Sequence, residues 1–147
     1  YLGYNYWISD INAALGTSQL KKINKFIKTR NFIAKTYDRH LKNLPIHLPK
    51  IKKNNVSSFH LYVIKLKKLN SKYYDKIFKN LIRNNIDVNL HYLPVHLHPF
   101  FQNKGFKKGD FPLSEKHAQS AISLPIYYGL KKNQQIKIIK KLKKIIK

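Results

Sequence analysis

The sequence predicts an α+β domain in which a short sheet of about three strands is covered by helices. Two observations lead there. Residues 59–66 and 86–92 read as strands, one by its aromatic and β-branched composition and the other by strict alternation, and a helical apolar stripe lies between them. Long stretches with apolar residues at three–four spacing lie near both ends of the chain, so helices outweigh strands. At 147 residues the chain is long enough for one domain with a sizeable core.

Residues 1–7 are aromatic and include Gly3, which suggests a loop packed against something. Ser9 suits a helix N-cap, with Asp10 favourable in the first turn. Ile11, Ala14, Leu15, Ile23, Phe26, Ile27, Ile33, Ala34 and Tyr37 then keep helical spacing. A single helix to about Leu41 would run on the order of 45 Å. That exceeds a domain of this size, so the helix either breaks near Gly16-Thr17-Ser18 or extends along a body outside this chain. The expected division is a loop and long linking helix over 1–42 and a small α+β domain over 43–147.

Pro45 and Pro49 mark a connection before the strand at 59–66. Ser71 is expected to cap a helix with the stripe Tyr74, Ile77, Phe78, Leu81 and Ile82, and Asn84-Asn85 to stop it in a left-handed turn. Residues 86–101, IDVNLHYLPVHLHPFF, come next. Ile86, Val88, Leu90 and Tyr92 would share one strand face, Asp87, Asn89 and His91 the other, and Pro94 would end the strand. A face of acid, amide and imidazole is costly to bury unpaired, so it is expected to line a cleft. Beyond it come a helical turn over 99–104 closed by Gly105, a turn over 107–110, and a helix from Pro112 to about Ala121. Ser123-Leu124-Pro125 reads as a short edge strand. The last helix starts near Asn133 with Ile136, Ile139, Leu142 and Ile146 on one face.

The formal net charge is +24 and the pI about 10.2. The lysines are scattered through every segment rather than gathered on one element, which favours a compositional origin over a nucleic-acid site. A basic nucleic-acid or surface-binding domain remains the alternative class. The last helix reads as a surface helix rather than a membrane-lying one. No cysteine is present, which excludes disulfides and thiolate chemistry, and no apolar run is long enough to span a membrane. The chain has no methionine and opens in mid-pattern, so it is read as the C-terminal part of something longer.

His91, His96 and His98 could ligate a metal, but Asp87 is the only acid near them in sequence, and the favoured reading is polar residues of a substrate loop with no metal. The six acidic residues form no evident catalytic pair, and the sequence has no GxSxG, GxxxxGK[ST] or GxGxxG motif.

LGYNYWISDINAALGTSQLKKINKF at 2–26 resembles a segment of the DegT/DnrJ/StrS-type aminotransferases, whose pattern is close to GYNYRxSDxxAALGxxQL. FHLYVIKL, IDVNLHYLPVHLHPFF and GDFPLSEKHAQSAISLPIYYGL follow in the same order, and the HYxPVHxxPFF form looks most like members that aminate UDP-linked 4-keto-hexoses in pseudaminic acid synthesis. The resemblance implies the small C-terminal domain of a fold-type-I aminotransferase, with pyridoxal 5′-phosphate bound mainly by the large domain. It implies transfer of an amino group, from glutamate as donor, to a nucleotide-linked keto sugar, in a cytoplasmic homodimer that needs neither nucleic acid nor membrane. Asn5 would bind cofactor or substrate in the neighbouring subunit's site. His91, Tyr92, Leu93 and Pro94 would line the nucleotide-sugar pocket. The family's Schiff-base lysine lies upstream of GYNY, so no catalytic residue is assigned here and the chain alone is expected to be inactive, whether a fragment or a relict. Trp7 stands where the family usually has arginine.

Overall fold

The computed structural model describes residues 6–146. Two helices, α1 (Asp10–Leu20) and α2 (Ile23–Leu41), precede a strand pair, β1 (Ile46–His47) and β2 (Tyr62–Leu66). Helix α3 (Ser71–Arg83) follows, then a 3-10 turn (Val95–Leu97), the short helices α4 (Pro99–Gln102) and α5 (Pro112–Ala118), strand β3 (Ala121–Leu124) and helix α6 (Lys132–Ile145). The sheet is antiparallel in the order β1-β2-β3, with Ile46 opposite Leu66, and Tyr62 and Ile64 opposite Leu124 and Ile122. The α+β class and the three-stranded sheet agree with the sequence reading.

The core joins that sheet to α2, α3 and α6. Tyr37, Leu41, Tyr62, Ile64, Ile77, Leu81, Ile122 and Leu142 are fully shielded from solvent. On α3 the residues that reach it are Tyr74, Ile77 and Leu81, one stripe of the helix. Buried hydroxyls find partners, as burial demands. Tyr37 donates to the Pro125 carbonyl at 2.9 Å, Tyr74 to the Ala121 carbonyl at 2.9 Å, and Tyr62 to the Asp38 carboxylate at 2.6 Å. Gln135 is buried and donates to the Ile33 carbonyl at 2.8 Å, tying α6 to α2.

Several expectations shift by a few residues, each for a local reason. The long helix runs unbroken through Gly16-Thr17-Ser18 and breaks instead at Lys21-Lys22, where the Lys22 amide bonds the Gln19 carbonyl in a tightened turn. The second strand begins at Tyr62 rather than 59 because Phe59 sits at φ 45°, outside the extended region. The cap of α3 is Asn70, whose side chain accepts from the Tyr73 amide, and Ser71 is the first helical residue. Helix α5 stops at Ala118, which frees Ala121–Leu124 for the sheet. On α6, Ile138 and Gln135 face the core with Ile139 and Leu142, while Ile136 is 38% exposed.

The larger correction concerns residues 86–92, which form no strand. They touch the sheet through one bridge, Asn89 opposite Ser123. The alternation holds for Ile86 and Val88, both buried, and then fails, since Leu90 is 47% and Tyr92 73% exposed. The edge of the sheet beyond β2 belongs to β3, and after Asn89 the chain leaves it.

Asn85 takes the left-handed conformation expected of it, at φ 55°. A β-branched side chain there crowds its own backbone, whereas Gly and Asn adopt the conformation readily. Asn85→Val is expected to cost about 1–2 kcal/mol in urea unfolding and Asn85→Gly to be nearly neutral. Equal losses for the two would remove the left-handed turn as the cause.

Candidate functional site

The segment that leaves the sheet forms the rim of a cavity of about 400 Å³. Leu90, Tyr92, Leu93, Pro94 and Leu97 line one side, and Ala118 and Gln119 at the end of α5 line the other. Tyr74 belongs to the same wall, anchored through its hydroxyl to Ala121. The lining is mainly apolar with a few convergent polar groups, Lys108 and Glu115 among them, the usual character of a small-molecule pocket. The apolar residues that the alternation assigned to a core face thus divide. Ile86 and Val88 serve the core, and Leu90 and Tyr92 serve the cavity.

Of the predicted substrate residues, Tyr92, Leu93 and Pro94 line this cavity together. Pro94 is buried, while Tyr92 and Leu93 stay open to a ligand. His91 is not part of the lining. Its ring lies edge-on to Tyr92 at 4.6 Å between centroids, and both ring nitrogens are shielded from solvent without a hydrogen-bond partner. Asn5 lies outside the described residues.

The best-defined polar feature was not legible as such. His96 and Glu115 are both buried, and Nε2 of His96 lies 2.9 Å from Oε1 of Glu115. The same oxygen accepts from the Gly109 amide at 2.7 Å. Three separate pieces, the 3-10 turn, the 107–110 turn and α5, therefore meet on one carboxylate. Gly109 has φ +99°, a conformation that disfavours any residue with a Cβ, and this orients its N–H toward Glu115. The Gly109 N–H, and after it His96, hold the Glu115 carboxyl below its ordinary value, while burial pulls the other way. His98 is exposed and apart, and among the described residues no cluster of three His, Cys, Asp or Glu could hold a metal. The acid that sequence proximity offered His96 was Asp87; the fold supplies Glu115 instead.

A depressed carboxyl value means that ionised Glu115 stabilises the fold. That contribution is complete above the unfolded value near 4.5 and is lost as pH falls through the lower folded value. Stability is therefore expected to drop more steeply below pH 4.5 in the native chain than in Glu115→Gln, which keeps an acceptor for Gly109 but carries no charge. Parallel acid limbs in urea titrations would show that this carboxylate does not matter.

His96 also helps line a second, aromatic cavity of about 290 Å³ with Phe101, Phe106 and Phe111. The His96–Glu115 pair thus stands between the two cavities and sets the position of the loop carrying residues 92–94.

Residues 1–143 match the DegT/DnrJ/EryC1/StrS aminotransferase family. The chain belongs to that family. It is 38% identical to the uncharacterized protein MJ1066 of Methanocaldococcus jannaschii over 98% of its own length and 38% of that protein's. It is 37% identical to the UDP-4-amino-4,6-dideoxy-N-acetyl-beta-L-altrosamine transaminase of Campylobacter jejuni over 69% of this chain and 27% of the relative. Its fold matches that of Helicobacter pylori PseC, an aminotransferase involved in the biosynthesis of pseudoaminic acid, with a TM-score of 0.86 and 28% identity over 99% of this chain and 39% of that one. The chain thus spans less than two fifths of the length of these relatives.

The family works with pyridoxal 5′-phosphate, which sets a chemical requirement on any cavity that holds it. Such a site needs a lysine, a carboxylate free to face the pyridine nitrogen and a cradle for phosphate. The cavity contains Lys108 and Glu115, but Glu115 is already engaged by His96 and Gly109, and no serine or threonine lines it. This cavity does not fit the cofactor by itself. Trp7 is 90% exposed. Among the described residues no helix is long and apolar enough to cross a membrane.

Proposed function

We propose that this chain is the C-terminal, sugar-handling portion of an aminotransferase that transfers an amino group from glutamate to a nucleotide-linked keto sugar. The carrying observation is the apolar cavity whose rim is Tyr92, Leu93 and Pro94, in a chain similar to a UDP-sugar transaminase. A pocket of this size suits one sugar-sized group. Its task is to hold the sugar in one orientation and exclude water, since a fixed geometry supplies much of a two-substrate reaction's advantage. The cofactor, pyridoxal 5′-phosphate, is held mainly by the part of the enzyme that the relatives have beyond this match, and the working enzyme is a cytoplasmic homodimer. In this reading residues 1–42 link the two parts, and Asn5 reaches the neighbouring subunit's site. The exposure of α1 supports the reading. Ile11, Leu15 and Leu20 are 58–82% exposed, no residue of α1 is buried, and a helix with such apolar content is normally covered.

In a full-length enzyme carrying these residues, Tyr92→Ala is expected to raise KM for a UDP-linked 4-keto-hexose by about tenfold while cofactor absorbance and the half-reaction with glutamate stay unchanged. Loss confined to the glutamate half-reaction, or an unchanged KM, would refute the assignment of this cavity to the sugar.

A further inference from the structure

Helices α3 and α6 pack side by side, and the groove between them opens into a cavity of about 510 Å³ that shares no lining residue with the site above. Tyr73, Lys76 and Asn80 line it from α3 at positions i, i+3 and i+7, one face of that helix. Lys141, Lys144 and Ile145 line it from α6 at positions i, i+3 and i+4, again one face of the helix. Three lysines from two facing stripes thus line one concavity. A fourth, Lys68, stands over the Tyr73 ring at 5.4 Å.

Among the described residues nothing acidic offsets them. No carboxylate lines the cavity, and Asp75, the acid nearest in sequence, is not part of it. Among the described residues the one ion pair is His96–Glu115, so none of these lysines has a carboxylate partner. Asn80 is held in place, because its side-chain oxygen accepts from Asn84 at 2.9 Å, which leaves its NH2 group as the available donor. A concave site with several converging cations and neutral donors focuses the potential and concentrates multivalent anions.

We propose that the α3–α6 groove binds a small oligophosphate, a chain of two or more linked phosphates rather than a single phosphate or a nucleic-acid strand. Three lysines spread over two helices present more positive charge than one phosphate can use. The site is a short open groove whose one aromatic lining residue is Tyr73, so it offers no row of platforms on which successive bases could stack. The occupant replaces the missing counter-charge between like-charged helices, so it ties α6 to α3.

The test uses the full 147-residue chain, tripolyphosphate, orthophosphate and a twelve-nucleotide oligothymidylate, by calorimetry at physiological salt. Tripolyphosphate is expected to bind at least about tenfold more tightly than orthophosphate and to raise the melting temperature, as a ligand of the native state must. K76Q/K141Q/K144Q is expected to lose about tenfold in tripolyphosphate affinity, and the charge-retaining K76R/K141R/K144R less than about twofold. The control K28Q/K52Q/K53Q removes the same charge from exposed lysines elsewhere and is expected to lose less than about twofold. Equal losses in the two glutamine triples would show a diffuse ion atmosphere and overturn the site. Tighter, groove-dependent binding of oligothymidylate would overturn the ligand class in favour of a strand.

Discussion

Leu142→Ala is expected to cost this chain about 2–5 kcal/mol, much of the 5–15 kcal/mol that holds a typical domain together. Leu142 lies in the last turn of α6, with no exposed surface, in the core that joins α6 to α2, α3 and the sheet. Truncation removes buried methyl groups and leaves a hole that packed neighbours fill only in part. The midpoint of urea unfolding should fall with its slope unchanged, and the melting temperature should drop by roughly 5–15 °C. Ile136→Ala is the comparison. The spacing of apolar residues placed Ile136 on the same face, but it is 38% exposed. Its loss should stay below about 1 kcal/mol. Were Ile136 the more costly of the two, α6 would be packed by the face its sequence suggests and not by the one described.

Alkaline unfolding is the second large effect. Tyr37, Tyr62 and Tyr74 have their phenol values raised above the ordinary 10.0, chiefly by burial, and for Tyr62 also by its bond to the Asp38 carboxylate. A phenol whose folded value is raised gives stability that is complete below the unfolded value and is lost as pH rises toward the folded one. Above pH 10 each such tyrosine withdraws about 1.4 kcal/mol per pH unit, because the unfolded chain releases a proton that the native one retains. The lysines act the other way, since their neutralisation relieves the repulsion of a +24 chain. The tyrosine effect should prevail, because those lysines are mostly exposed and screened, whereas Tyr37 and Tyr62 have no exposed surface. Tyr62→Phe separates the two contributions. It should lower stability near neutral pH, where Asp38 loses its donor, and flatten the fall above pH 10, read by urea unfolding alongside absorbance near 295 nm. A variant that falls as steeply as the native chain would mean that this phenol is not the group being titrated.

Local signals were legible where one residue's neighbours in sequence are also its neighbours in space. Tyr74, Ile77 and Leu81 on α3, the left-handed Asn85 and the turn closed by Gly105 at φ 96° all follow from contacts within a few residues. The cavity rim was legible in part. Tyr92, Leu93 and Pro94 line it, and the family pattern that pointed to them is a sequence property. Glu115 was the miss. It lies within GDFPLSEKHAQSAISLPIYYGL but carries no local signal, because its partner His96 is 19 residues away and nothing in spacing reports a pair formed across a fold.

The same reasoning explains residues 86–92. Alternation is a statement about which side chains share a face, and Ile86 and Val88 honour it. It does not say which strand occupies the neighbouring edge. That choice is made by backbone hydrogen bonds between distant segments, and β3 takes the edge of β2 while Asn89 keeps a single bridge. By itself the sequence determined the family, the α+β class, the helical stripes and the candidate rim, because periodicity, turn chemistry and motif are local and additive. Tertiary structure alone decided that a carboxylate from α5 would fix His96, that Leu90 and Tyr92 would face a cavity instead of the core, and that lysines scattered in sequence would converge between α3 and α6. Each of these depends on contacts closed over long loops, whose partners the order of residues does not name.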